Sequence, residues 1–403
     1  MAKGRKIKRV KSLYKPRKSR SRKAIEVAVM LAVICTLGFV GWSIGSAIFN
    51  YSPPNEQPVG RDALGAPEIE PEMHEDGTPG TSYPTPDEPD PPVALPTHFN
   101  AITAPSSVLD NVSSLAAYIR QAELSGFNAV VLEIKDSTGH LFYESGFEPI
   151  QGSDIIRGTL TAEQIFAAFE ETGVKPILRL NTLLDRLAPS VLADVSYVFE
   201  TGGRWADDRL ENGGKLWANP FLQGTRDYHL FIVDELVNAG FTDIILANMT
   251  FPHFRNYDRS VIAAEFTAPA TRYNGLTGFV NALEVSSATF YLEMTVRDVV
   301  ESYAGFGGTA EILRGRRYLD GFELLLVYNK EDFGTEYRTG EHSTVALPAD
   351  TGALVSLVFK QAENQTSGFE ITPFLNRDNL TDREITDILG VFTELGYENF
   401  VIR

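Results

Sequence analysis

The chain has 403 residues, 53 Asp and Glu against 36 Lys and Arg, a formal net charge of −17 and one cysteine. A single Cys35 excludes an intrachain disulfide, and a large acidic excess disfavours DNA, RNA and anionic surfaces as partners. The first hundred residues lack a globular pattern, which leaves about 300 for one large folded domain.

Residues 1–23 carry twelve Lys and Arg and no acid. Residues 27–49, VAVMLAVICTLGFVGWSIGSAIF, then run without a charge, long enough at about 1.5 Å per residue to cross a ~30 Å hydrocarbon core. The pattern predicts a basic cytoplasmic tail over 1–26 and a single transmembrane helix over 27–49. A cleaved signal peptide has a shorter apolar core, so an uncleaved anchor is expected. The basic flank keeps the N-terminus in the cytoplasm and places the rest outside the membrane. Such a tail also suits sequence-blind nucleic-acid contact, but membrane topology and anionic lipid account for it, and no nucleic-acid partner is expected. Gly41 and Gly45 have the GxxxG spacing of helices that pack in pairs. Removing the twelve cations and Glu26 from the net charge of −17 leaves −28 beyond the tail. Cys35 lies within the span, and an exported chain without disulfides fits a bacterial envelope better than a eukaryotic secretory route. Residues 50–97 are rich in Pro, Glu and Asp, as in PTPDEPDPP, and read as a disordered, extended stalk.

From residue 98 one phrase recurs: an amphipathic helix, a Gly, then a β-branched or Leu-rich run. It reads GFNAVVLEIK from Gly126, GVKPILRLN from Gly173, GFTDIILAN from Gly240 and GYENFVIR from Gly396. A left-handed Gly closes a helix, and the apolar run is a strand buried on both faces. Strands are expected near 98–104, 128–135, 175–181, 243–248, 289–296, 321–327, 368–376 and 397–403. Eight such units make an α/β fold, a (β/α)8 TIM-like barrel over 98–403. The eighth strand reaches the last residue, without a helix after it in this sequence. An open doubly wound sheet is the rival, but no Gly-rich phosphate turn follows any strand.

In a barrel, chemistry sits on inward side chains at the C-terminal strand ends. Strand parity makes Glu133 and Lys135 a charged inward set, and points to Arg179, Glu293, Tyr328, Thr372 and Asn376 on the other strands. Glu133 with Glu293 could serve as the two carboxyl groups of glycoside hydrolysis; the same charges could equally form an internal ion-pair network. The six histidines have no metal-ligand spacing, and neither a metal nor a cofactor is expected. No GxSxG elbow is present, and the chain stopping at strand eight argues against a phosphorylated ligand.

Several segments carry a family resemblance: NAVVLEIKDSTGHLFY (128–143), PILRLNTLLD (176–185), LWANP (216–220), DYHLFIVDELVNAGFTDIILANMTFP (227–252) and ITPFLN (371–376). Together they resemble the bacterial glycoside hydrolase-like barrels catalogued as a domain of unknown function. In that family the fourth strand ends in an Asp implied to be the nucleophile, followed by Tyr, an apolar residue, Arg, Phe and Pro. Here Phe251 and Pro252 remain, but Ala247 stands at the Asp position, Asn248 at the Tyr and Thr250 at the Arg. The fifth-strand Asp is Glu293, and an Arg-Pro-Trp pattern on strand seven is Thr372, Pro373 and Phe374. Lys135, Asp136, Arg179, Asp185 and Tyr328 match family positions. The resemblance therefore implies a barrel with a degenerate catalytic site that binds envelope or environmental polysaccharide, or a protein partner. Lys135, Asp136, Arg179, Asn248, Tyr328, Thr372 and Asn376 are its expected contacts. The alternative is an active hydrolase with a relocated pair, Glu133 and Glu293.

Overall fold

The computed structural model describes residues 95–283, 287–301, 322–338, 344–366 and 368–403. The expected tail, the membrane span and all but the last three residues of the stalk lie outside them. Among the described residues no helix is long and apolar enough to cross a membrane.

Eight parallel strands form a closed barrel: β1 (Asn100–Thr103), β2 (Ala129–Lys135), β3 (Lys175–Asn181), β4 (Asp243–Ala247), β5 (Thr289–Thr295), β6 (Phe322–Tyr328), β7 (Ile371–Leu375) and β8 (Phe400–Ile402). Closure is made by β1 on β8, with Asn100, Ala101 and Ile102 opposite Phe400, Val401 and Ile402. That pairing rules out the open sheet, and all eight predicted strands are present. A short antiparallel hairpin, Glu336–Arg338 with Thr344–Ala346, follows β6.

The alternation of each strand divides the core in two. Ala101, Val131, Ile177, Ile245, Tyr291, Leu325, Phe374 and Val401 fill the barrel interior. Their neighbours in sequence, such as Val130, Leu132, Leu178, Ile244, Leu246 and Leu324, face the helices. Those helices include α1 (Val112–Leu124), α2 (Ala162–Ala167), α3 (Gln223–Asn238), α4 (Pro269–Leu283), α5 (Val296–Val300), α6 (Thr351–Gln365) and α7 (Asp382–Glu394). Polar side chains start several of them: Asn111 accepts from the Ser114 N–H at 2.9 Å before α1, and Thr161 with Gln164, and Thr381 with Glu384, form capping boxes before α2 and α7.

The recurring Gly phrase has the predicted backbone in three of four places. Gly126, Gly240 and Gly396 have φ of 85°, 112° and 85°, the left-handed region where a Cβ is disfavoured. Gly173 is not among the positive-φ glycines. There α2 ends at Ala167, and a turn with Thr172 N–H bonded to the Phe169 carbonyl at 2.9 Å carries the chain to β3.

The N-terminal end of the barrel is closed by a buried ion pair. Lys175 Nζ lies 2.7 Å from Asp243 Oδ1, and the Tyr291 hydroxyl donates to the same oxygen at 3.0 Å. At the other end, the long segments after β3 and β4 build their own aromatic cluster. Tyr197, Trp205, Phe254 and Phe266 meet ring against ring, and Trp205 Nε1 donates to Asp258 Oδ1 at 3.0 Å. The C-terminal strand ends are therefore where side chains meet open space.

Candidate functional site

The centre of the mouth is Arg179. It stands on β3 with the same parity as the interior Ile177, directly opposite Glu133 of β2. Its Nε and Nη2 each donate to one oxygen of Glu293 at 2.6 Å, a two-pronged contact, and its Nη1 donates to Glu133 Oε1. Asn181 Nδ2 also donates to Glu133 Oε1 at 3.2 Å, and Asn248 Nδ2 donates to Asn181 Oδ1. Burial alone would lower the Arg179 pKa, but the hydrogen bonds and charge of Glu293, then those of Glu133, carry it above its usual value. A planar guanidinium with five donors can meet Glu293 with two parallel hydrogen bonds and still reach Glu133 with a third, a fork that a lysine ammonium lacks.

Above this network the mouth divides into two lobes. One, about 300 Å³, is lined by Glu293, Asn248, Thr250, Asn329 and Asn376 among others. The other, about 420 Å³, is lined by Glu133, Thr103 and the segment to Ser106. Arg179, Phe374 and Arg403 line both.

Five of the residues expected from the sequence are thus brought together: Glu133, Arg179, Glu293, Asn248 and Asn376. Asn248 takes a left-handed φ of 52°, which Asn tolerates better than most residues, and so reaches the mouth from just beyond β4. Asn376 Nδ2 donates to Asn329 Oδ1 at 2.9 Å. Ala247 is inward by parity with Ile245 and fully buried beside Asn181, its strand partner. Only a methyl group stands at the strand-four position.

Four expected contacts lie elsewhere. Lys135 is not in the mouth, because the β2–β3 register slips after Glu133 and sets Lys135 opposite the helix-facing Leu180. Its fully buried Nζ meets Asp185 Oδ2 at 2.7 Å and the Asn181 carbonyl at 2.8 Å, with the Tyr228 ring 5.6 Å away. Asp136 is spent on its own turn: Oδ1 accepts from the backbone N–H groups of Thr138, Gly139 and His140 at 2.9 Å each. Tyr328 shares the parity of Leu324 and Leu326, faces the helix layer and stacks on Phe333 at 5.8 Å. Burial, then the charges of Glu384 and Asp332, push its phenol up to about 12, so it stays protonated at neutral pH. Thr372 is inward but buried beneath the mouth, opposite the interior Leu325.

Parity reasoning missed Thr103, Asn181, Asn329, Phe374 and Arg403. Strand parity was a signal for four of them: Thr103 is in phase with Ala101, Asn181 with Arg179, Phe374 with Thr372 and Arg403 with Val401. Asn329 follows the last residue of β6, where no strand pattern points to it.

Residues 101–299 match a family described as "Putative glycosyl hydrolase domain". Over those residues the match agrees with the resemblance to glycoside hydrolase-like barrels, and the closed eight-stranded barrel is the fold that resemblance implied. No curated protein matches the sequence. Solved structures similar to the chain include the glycoside hydrolase domain of PgaB (BpsB) from Bordetella bronchiseptica, at 15% identity over 75% of this chain and 92% of that one, with a TM-score of 0.47. The glycoside hydrolase domain of PelA from Pseudomonas aeruginosa shows 13% identity over 77% and 95%, TM-score 0.37. A hypothetical protein from Ruminiclostridium thermocellum shows 21% over 49% and 96%, TM-score 0.39.

Behind the mouth, next to the Lys135 and Asp185 pair, His229 is fully buried with Nδ1 2.8 Å from the Thr225 carbonyl and Nε2 3.1 Å from that of Thr182. Burial, then the Lys135 charge, lowers its pKa to about 4. The unfolded chain binds this proton near the ordinary value of about 6.5. Its contribution is therefore complete above pH 6.5, falls as pH drops from 6.5 towards 4, and levels off below, a change of about 3 kcal/mol. Denaturant unfolding across that window should show this loss, reduced by a similar amount in His229→Gln; an unchanged slope in the variant would contradict a neutral buried ring.

Proposed function

We propose that this barrel binds polysaccharide of the bacterial envelope or its surroundings without hydrolysing it, and that residues 27–49 anchor it to the cell membrane with the domain outside. The observation that carries the first part is the sharing of Arg179 between Glu133 and Glu293. Retaining hydrolysis needs one carboxylate free to attack and a second carboxyl protonated to release the leaving group. Both oxygens of Glu293 are occupied by the guanidinium, and Ala247 offers no replacement nucleophile. What remains around the lobes is suited to binding: three Asn amides, Thr hydroxyls and a guanidinium, groups that donate to and accept from sugar hydroxyls. The charge-free run of residues 27–49 behind a cationic tail supports the anchor.

The full-length protein and its Glu293→Ala variant, each incubated with a panel of envelope and plant polysaccharides, separate the two readings. Binding without new reducing ends in either protein is the expected result. Turnover that disappears in the variant would instead establish a hydrolase working through Glu133 and Glu293.

Topology has its own measurement. Protease added to intact cells should release a fragment of about 300 residues from the Pro-rich stalk; full protection would contradict an external domain.

A further inference from the structure

The helix layer has a gap over one pair of strands. α7 joins β7 to β8 and α1 joins β1 to β2, so with right-handed crossovers these two helices flank the β8–β1 pair. α6 packs along α7, but among the described residues α1 and α7 do not pack along each other, and no helix follows β8. The strip between them is apolar. Ile102 and Phe400 face outward, out of phase with the interior Ala101 and Val401, and both are half-buried. On α7, Glu384 and Val391 meet Thr351 and Gly352 of α6. The half-buried Ile385 and Leu389 stand about 100° or more round the helix from both, on the flank away from α6. Tyr118 of α1 closes the upper end, where its hydroxyl donates to the Thr103 carbonyl at 3.1 Å. Arg377 stands at the same end, with Nε donating to the Arg403 carbonyl at 3.0 Å and no ion-pair partner among the described residues.

The chain enters the barrel at the foot of this strip. The Phe99 N–H donates to Asn399 Oδ1 at 2.9 Å and Asn128 Nδ2 donates to the His98 carbonyl at 3.0 Å, which fixes the entry between β8 and β2. A bend at Thr97 and His98 turns the chain just before β1, and Leu95, the first described residue, is 43% exposed. The residues before it read Glu88, Pro89, Asp90, Pro91, Pro92, Val93 and Ala94.

We propose that residues 88–94 lie along the open strip between α1 and α7 as an extended strap, covering the outer face of β8 and β1. Prolines favour the polyproline II helix, which rises about 3.1 Å per residue, so this segment spans about 22 Å. The 13 residues of α1 beside it span about 20 Å. A polyproline II backbone needs no strand to pair with, and its rings pack on aromatic and aliphatic side chains. Val93 and Ala94 take the foot of the strip, Pro91 and Pro92 meet Phe400 and Leu389, and Glu88 and Asp90 reach the Arg377 end. The strap is independent of what the mouth binds.

The test uses the full-length protein in detergent, with Pro91 replaced by the photoreactive p-benzoylphenylalanine. Irradiation and peptide mapping should place most of the crosslinks within one chain, on the α1 segment around Tyr118 or the α7 segment around Leu389. Crosslinks between chains would mean that a second copy covers the strip, and crosslinks to neither helix would mean that the segment does not; either result overturns the strap. A second measurement follows proteinase K cleavage within residues 88–94, which reports local release. Leu389→Asp should speed that cleavage about tenfold, the scale of uncovering part of one Leu side chain, and Arg377→Ala about threefold. Unchanged cleavage in both variants, with thermal unfolding showing an intact domain, contradicts the proposal.

Discussion

Three charged groups stand inside one end of a closed barrel, and a single guanidinium holds the other two. Arg179 is mostly buried, with 11% of its side chain exposed, and Glu293 and Glu133 are at 14% and 26%. Charges at such positions are tolerated only when paired and hydrogen-bonded. The planar fork of arginine meets that demand with three donors in one plane. Every other feature of the mouth is arranged around it: Asn181 steadies Glu133, Asn248 steadies Asn181, and the two lobes open on either side of the guanidinium.

The same interaction connects fold to function. A hydrolytic pair must differ, one carboxyl protonated and the other free. In this mouth both are bound to one cation, and the strand-four position is a buried methyl. The second ion pair, Lys135 with Asp185, lies behind the strands and supports the site from outside. Lys135 binds the Asn181 carbonyl, while Asp185 Oδ1 accepts from the Leu187 and Ala188 N–H groups at 2.8 and 2.9 Å. Asn181 is thus held on both sides, its amide by Glu133 and its carbonyl by Lys135.

The barrel itself was legible because its signals are local and repeated. Gly-closed helices and short apolar runs recur, and eight strands follow where the pattern places them. Glu133, Arg179 and Glu293 were legible too, since a charge in a doubly buried strand has few places to go. Parity failed where regularity failed. A one-residue register slip turned Lys135 from the mouth into the helix layer, and nothing in AVVLEIK announces it. Tyr328 was misplaced for a different reason: a tyrosine fits either face, and only its in-phase partners Leu324 and Leu326 reveal the outer one. Gly173 shows that a repeated sequence phrase need not repeat its backbone, because α2 stops earlier than its sisters. Asn329 reaches the mouth from beyond the end of β6, where alternation no longer applies, whereas Arg403 keeps the inward parity of Val401.

The account stands on Arg179 as the electrostatic pivot of the mouth, and denaturant unfolding of substituted proteins measures that most directly. Arg179→Met leaves two uncompensated carboxylates in a largely buried site and should cost about 3 kcal/mol. Combining it with Glu133→Gln and Glu293→Gln removes those charges and should restore most of the loss. An Arg179→Met protein as stable as the wild type, or a triple variant weaker than the single, would contradict the account.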